Sequence, residues 1–354
     1  MEIHQLSTPL RGALLVLSCL LLAIGNCCGP LIIRLYFVHG GNRIWLSSLL
    51  QTAGWPIILF PLTISYFFRR KSEGNQTKLI FMNLQVLMFA APIGTLAGFC
   101  NYFSGSGIGH LPVSTVTLIF STQLAFVAFF AFVLVRQKFT PYSVNAVVLL
   151  TMGAGVLAMH AGSDRPSGES KKTYVLGFVM ALAAAALNGL IFPLIELTYV
   201  KAKQAITYSL VMEIQMVMCF AASVICTLGM IINNDFKVIP REAREYQLGE
   251  TKYYMVLVWS CIIWQFYVLG AVGLIFCASS LFSGVMVTVL LPISEVLAVI
   301  FFHDKFQAEK SVSLALCLWG FVSYFYGELK QAKKNSRQIK ESEMSPTTDQ
   351  HPAP

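Results

Sequence analysis

The chain has 354 residues, 56% of them hydrophobic and only 12% charged, with a mean hydropathy of +0.67 and a formal net charge of +8. Soluble domains carry about twice that share of charge, so the composition excludes a soluble globular protein and indicates an integral membrane protein. It is read as all-α, because lipid requires backbone groups to be satisfied within each segment and the alternating short segments of a membrane β-barrel are missing.

A membrane-crossing helix needs about 20 apolar residues. Ten such runs follow in order: Ala13–Val38, Ile44–Phe68, Leu79–Phe103, Leu111–Val135, Tyr142–Ala161, Tyr174–Val200, Tyr208–Ile232, Tyr253–Cys277, Leu281–Phe302 and Val312–Glu328. Arg11 before the first run gives it a signal-peptide look, but the apolar stretch resumes through Leu31 to Val38 and is too long for that role. With the N-terminus inside, fourteen Lys and Arg fall on the inner side and nine on the outer, a bias that puts both termini in the cytoplasm. The net charge therefore sets orientation and is no sign of a nucleic-acid partner. The loop with the densest positive charge holds Arg69, Arg70, Lys71 and Lys78 and also a glycosylation sequon, Asn75-Gln76-Thr77, expected to stay bare on the cytoplasmic side. The longest loop runs from about Asn233 to Lys252, with mixed charge and Pro240, and leaves no room for a soluble catalytic domain. Residues 1–12 are read as a cytoplasmic N-terminus and 329–354 as a disordered cytoplasmic tail rich in Lys, Ser, Glu, Thr and Pro.

Two short matches suggest an internal duplication. Arg136-Gln137-Lys138-Phe139 aligns with His303-Asp304-Lys305-Phe306, and the glycines that follow, Gly153 and Gly320, keep the same offset of 167. Pro30-Leu31-Ile32 with Tyr36 aligns with Pro193-Leu194-Ile195 with Tyr199 at an offset of 163. The halves are then five helices each, 13–161 and 174–328, joined by an extracellular linker over 162–173. Five is odd, so the second half starts on the opposite side of the membrane. Two inverted five-helix repeats are a recurring secondary-transporter design, with the substrate near the midplane where broken helices meet. Pro30, Pro193 and Pro292 fall in those helices, and a proline frees the carbonyl four residues before it.

Polar residues at membrane depth mark the cavity. They are the amides Asn26, Gln51, Gln85, Asn101, Gln123, Asn188, Gln215 and Gln265 and the acids Glu196, Glu213 and Glu295, with Trp55, Trp259 and Trp264 as aromatic partners. An acid inside a spanning helix costs roughly 2.5–3.5 kcal/mol on insertion scales and is a functional candidate by default. Gln51, Trp55, Gln123, Asn188, Glu213 and Gln215 are the candidate substrate contacts; Glu196, Glu213 and Glu295 are the candidates for proton coupling. Intramembrane Lys is missing, so an anion such as a sugar nucleotide has no matching cations. Amides pair with the edge of a planar heterocycle and aromatic rings stack on its face, which favours a neutral or weakly basic nitrogenous ring. The nine cysteines lie in apolar stretches without ligand spacing, so neither a metal site nor a disulfide framework is expected. A membrane transferase would want a His/Asp cluster or an Asp-rich metal motif, and none is visible; a channel or receptor is the remaining alternative to a carrier.

The chain resembles the plant purine permeases, within the drug/metabolite transporter superfamily, from about Leu21 to Glu328. The resemblance is carried by Cys28-Gly29-Pro30, His39-Gly40-Gly41-Asn42-Arg43-Ile44-Trp45, Gln51-Thr52-Ala53-Gly54-Trp55-Pro56, Ser121-Thr122-Gln123-Leu124-Ala125-Phe126, Val211-Met212-Glu213-Ile214-Gln215, and Leu291-Pro292 through Glu295. One departure is Cys27-Cys28, where a single Cys before Gly is the commoner pattern. The resemblance implies a ten-helix inverted-repeat carrier that takes up adenine-type bases, cytokinins or related rings by proton symport at the plasma membrane. Its only energy source would be the proton gradient, with no cofactor. A homo-oligomer is left open.

Overall fold

A computed structural model describes residues 8–73, 80–110, 119–137 except 121, 139–159, 171–302 except 203, and most of 311–331. The Asn75 sequon and His303-Asp304-Lys305-Phe306 lie outside the described residues. Among the described residues there are helices and no strands. They are α1 (Thr8–Val38), α2 (Ile44–Leu50), a 3-10 turn (Trp55–Ile58), α3 (Leu59–Glu73), α4 (Leu84–His110), α5 (Gln123–Phe130) with a π turn (Ala131–Val135), and α6 (Pro141–Met159). Then come α7 (Lys171–Lys201), α8 (Tyr208–Ile232), α9 (Asp235–Glu245), α10 (Glu250–Cys277) and α11 (Ser280–Phe302). The described part of 311–331 is also helical and is called α12. Among the described residues, six stretches are long and apolar enough to cross a bilayer by themselves. The chain is thus a multi-pass helical membrane protein.

Small residues set the closest crossings, as expected where lipid is as apolar as leucine and helix association depends on close packing. Gly25 and Gly270 let α1 and α10 lie against each other, at Tyr267 and Leu22 respectively. Gly107 seats α4 on Ala181 of α7, and Cys100 Sγ donates to the Ala184 carbonyl at 3.4 Å along the same seam. α5 also packs on α7, where Gly189 meets Phe126, and α11 packs on α1.

Two sequence expectations change here. The prolines do not break their helices: α1 and α7 run on through Pro30 and Pro193, and the α11 backbone is helical through Pro292. A partner helix comes near the freed group, since Ser294 Oγ, 3.0 Å from its own helix's Leu290 carbonyl, is also within 3.3 Å of the Asn26 carbonyl, four residues before Pro30. The break falls in the second span instead, between Leu50 and Leu59. Pro56 has no N–H, so the Thr52 carbonyl loses its helical partner. Trp55 N at 3.2 Å and Gln265 Nε2 of α10 at 3.2 Å donate to it in its place. Gly54 permits this approach: any side chain there would run into Cys261 O and the Gln265 side chain.

The mixed-charge stretch read as a loop, Asn233 to Lys252, is also not one. Residues Asp235–Glu245 form α9, an amphipathic helix whose Ile239 and Ala243 join an apolar cluster with Tyr36, Leu46, Leu50 and Tyr253.

Candidate substrate cavity

A cavity of about 80 Å³ lies between the broken second span, α4, α7, α8 and α10. Each helix contributes a stripe at helical spacing. Asn188, Ile191, Phe192 and Ile195 come from α7, and Trp264, Tyr267, Val268 and Ala271 from α10. Gln51 and Thr52 enter from the break, Asn101 from α4, and Met218 and Cys219 from α8. No charged side chain lines it among the described residues. Sites for drug-sized ligands measure roughly 300–1,000 Å³, so this cavity is small by comparison.

A polar chain behind the wall fixes the broken segment. Gln215 Nε2 donates to Gln265 Oε1 at 3.4 Å, Gln265 Nε2 donates to the Thr52 carbonyl, and Ser223 Oγ donates to Thr52 Oγ1 at 3.1 Å. Gln265 is buried, and so is Gln215, whose Oε1 has no partner. Gln51 turns its Nε2 back to the Ser47 carbonyl at 3.4 Å, which leaves its oxygen facing other groups.

The structure separates the predicted site residues. Gln51 and Asn188 meet at the cavity, and Gln215 stands behind it. Trp55 does not line it; its ring sits edge-on to Phe220 at 5.4 Å. Gln123 opens α5 and is not among the lining residues. Glu213, 3% exposed, lies about 7 Å along α8 from Met218 by helical rise. Its carboxylate accepts the Phe81 N–H at 3.0 Å and the Met82 N–H at 2.9 Å, tying down the extended approach to α4. Glu196 Oε2 accepts the Ser280 N–H at 2.7 Å and so caps α11. Glu295 is on α11, and its side chain lies outside the described residues. Sequence reasoning noted Asn101 and Trp264 as polar or aromatic at depth without placing them in the site, and passed over Thr52 and Tyr267. The signal was there for the last: Trp264, Tyr267 and Ala271 repeat at three and four residues.

A second polar cluster sits at the Glu250 end of α10. Tyr36 Oη and Tyr253 Oη, the latter at 3.2 Å, both donate to Glu242 Oε1. Arg43 Nε stands 3.5 Å from Glu242 Oε2 and Arg43 Nη1 3.6 Å from Asp235 Oδ1. Asp235 is fully buried and also accepts Asn233 Nδ2 at 2.8 Å. Gly40, at φ +108, takes the left-handed turn after α1 that brings Arg43 back over Tyr36, whose hydroxyl accepts the Arg43 N–H at 3.2 Å. Burial, with Glu242 close by, pushes the Tyr246 phenol above its ordinary range, so it stays protonated and donates to the Leu35 carbonyl at 3.0 Å.

A family model described as purine nucleobase transmembrane transport matches residues 13–334. That gives a class, a membrane transport protein and not an enzyme. The chain belongs to the purine nucleobase transporter family, whose named members include purine permeases. It is 54% identical to "Purine permease 3" of Arabidopsis thaliana over 337 residues, 95% of this chain and 96% of that one. It is 50% identical to "Purine permease 2" of the same plant over 353 residues, 96% and 99% of the two chains. One solved crystal structure shares the fold at a TM-score of 0.57 and 16% identity, covering 89% of this chain and 99% of the other.

Proposed function

We propose that the chain imports purine nucleobases, cytokinins or related nitrogen heterocycles across the plasma membrane, by proton-coupled alternating access. The observation that carries this reading is the lining of the cavity: the amides Gln51, Asn101 and Asn188 beside the rings of Trp264 and Tyr267, with no charged side chain among the described lining residues. A nucleotide or phosphate would need buried cations. A flat, uncharged ring with donors and acceptors on its edge needs amides and aromatic faces.

Packing supports the inverted repeat of ten helices. The duplication pairs α1 with α7, α4 with α10 and α5 with α11. Under that pairing the α1–α10 contact is the image of α7–α4, and α1–α11 is the image of α7–α5, and all four are present. The cavity then lies between the two halves, 13–161 and 174–328, where alternating access requires it.

Glu196, Glu213 and Glu295 remain the proton candidates, and no cofactor is invoked. Two of the three accept backbone N–H groups, Glu213 from Phe81 and Met82 before α4 and Glu196 from Ser280 at the start of α11. A rearrangement that withdraws those amides would free the carboxyl to carry a proton through the transport cycle. The same lining suits another small heterocycle, such as an alkaloid or a vitamin, and a facilitator that needs no proton.

One experiment separates these. Uptake of radiolabelled adenine and of a labelled cytokinin is measured in cells lacking base transport, with and without a protonophore. Accumulation that collapses with protonophore is expected. Uptake of neither compound defeats the substrate reading, and undiminished accumulation with protonophore defeats proton coupling. If coupling holds, changing the responsible Glu to Gln removes the pH dependence of uptake; retention in Glu196→Gln, Glu213→Gln and Glu295→Gln alike shows that the proton binds elsewhere.

A further inference from the structure

The geometry points to Trp264 as a specificity-determining residue whose indole N–H donates a hydrogen bond to an unprotonated ring nitrogen of the substrate, an inference that rests on the heterocycle reading above. Trp264 lines the cavity, yet its Nε1 is buried and has no hydrogen-bond partner. A buried donor left unpaired carries its full desolvation cost, so it is a group expected to find a partner in another state of the protein. No neighbouring amide oxygen accepts it: Gln265 Oε1 takes the Gln215 amide, and the unpaired Gln215 Oε1 does not meet the indole.

The ring is held so that this donor has a fixed direction. Gly29 of α1 faces the six-membered ring, where an added Cβ would stand 3.1 Å from Cε2, the carbon bonded to Nε1, and 3.2 Å from Cζ2. Tyr267 meets the ring edge-on, with centroids 5.3 Å apart and planes at 74°. With α1 close to the six-membered ring at Gly29 and Tyr267 against it edge-on, the room for the indole to turn toward other acceptors is restricted.

The donor also restricts what binds. An indole nitrogen only donates, so the substrate must offer an acceptor lying in the plane of its ring or close to it. A pyridine-type nitrogen of a purine does so; a carbon at the same place presents a C–H instead and leaves the indole unpaired. A site built around a polar group discriminates strongly against an analogue that lacks the matching group.

The test uses the full-length protein in cells without base uptake of their own, with labelled adenine as probe. Competition is measured with 1-deaza-, 3-deaza- and 7-deazaadenine, each of which replaces one ring nitrogen by C–H. In the parent, at least one analogue is expected to compete about tenfold more weakly than adenine, the loss of one hydrogen bond to a buried donor. Trp264→Phe keeps an aromatic ring without the donor, and in it that analogue and adenine should converge. Trp264→His restores a ring N–H and should restore part of the difference. The assignment is overturned if all three analogues match adenine in the parent, a result that needs no variant at all. It is also overturned if Trp264→Phe discriminates as the parent does. Absence of any uptake of adenine or cytokinin by the parent overturns the functional reading instead, and is distinguished by that.

Discussion

Trp264 belongs to the cavity layer and Tyr253 to the Arg43–Glu242 layer, eleven residues apart on one helix and so about 16 Å by helical rise. The two layers are built from different chemistry. The cavity presents neutral amides and rings, with the Trp264 indole N–H left unpaired, and behind it the Gln215 Oε1 is unpaired too. The other layer presents an arginine, two acids and two tyrosines, joined by hydrogen bonds and ion pairs across the α1–α2 turn, α9 and α10, although Arg43 Nε and Asp235 Oδ2 make no hydrogen bond. Charge is expensive to bury and is tolerated where opposite charge and hydrogen bonds surround it. Under the function proposed above, the cavity layer releases and rebinds a neutral ligand with groups whose exposure costs little, while the charged layer joins the α1–α2 turn to α9 and α10 with groups that cannot be parted cheaply. Glu213 and Glu196 obey the same rule at depth, because backbone N–H groups donate to them: those of Phe81 and Met82 in the extended segment before α4, and that of Ser280 at the start of α11.

That contrast predicts that stability resides in one layer and affinity in the other. The largest effect should come from Arg43→Ala. It leaves Asp235, fully buried, and Glu242, nearly so, without their cation. Breaking a buried ion pair costs about 3–5 kcal/mol; Arg43 is about a third exposed, so the lower end applies. Thermal unfolding of purified protein should move down by several degrees. An unchanged melting point with altered KM would invert the comparison.

Gln265→Leu comes next and sharpens the boundary between the layers. It removes a donor to the Thr52 carbonyl and the partner of Gln215 while keeping side-chain volume. Leaving buried groups unpaired costs about 1–3 kcal/mol, so stability should fall moderately, and uptake with it, since Gln51 and Thr52 lose their anchor. Normal uptake at a normal melting point would show that the break in the second span needs no such support. Asn188→Ala should act on affinity alone. A lost ligand hydrogen bond of about 1.4 kcal/mol raises KM roughly tenfold, with the melting point unchanged. Trp55→Ala, whose ring lies outside the cavity against Phe220, should leave KM near the parent value; a tenfold rise there would return it to the site.

What the sequence made legible follows from where the signal is stored. Apolar length is local, so α8 appears at Tyr208–Ile232 as read, bounded by Thr207, whose side chain accepts the Leu210 N–H. α9 was missed because six of its eleven residues are charged and it contains Pro240; its helical face, Ile239 and Ala243, is short and becomes apolar packing only beside Tyr36 and Tyr253. The break at Gln51–Ile58 was missed for a related reason. Pro56 announces a freed carbonyl, but the residue that receives it, Gln265, is distant in the chain by 213 positions. Glu213 was legible as an acid at depth; the amides of Phe81 and Met82 that it holds were not, being tertiary partners.

The comparison also depends on which face of the membrane the charged layer occupies, and this can be read without perturbing either layer. The bias of Lys and Arg places α9 outside. A glycan is transferred only on the lumenal side, so a sequon carried by α9 reports its side. Tyr246 is buried and a poor choice, whereas Glu245 and Gln247 on either side of it are exposed. Glu245→Asn with Gln247→Thr creates a sequon that spares Glu242, Asp235 and Tyr246; it removes the exposed Arg241–Glu245 pair, which contributes little. The expected outcome is a mass increase reversed by glycosidase, with uptake and melting point near those of the parent, while Asn75 stays bare. Modification of Asn75 with none at the new site would reverse the orientation, putting the Arg43–Glu242 layer at the cytoplasmic mouth. Modification of both would put the two sites on one side of the membrane, so that an even number of crossings separates them instead of the five of the ten-helix count, and the pairing of α1 with α7 would fail with it.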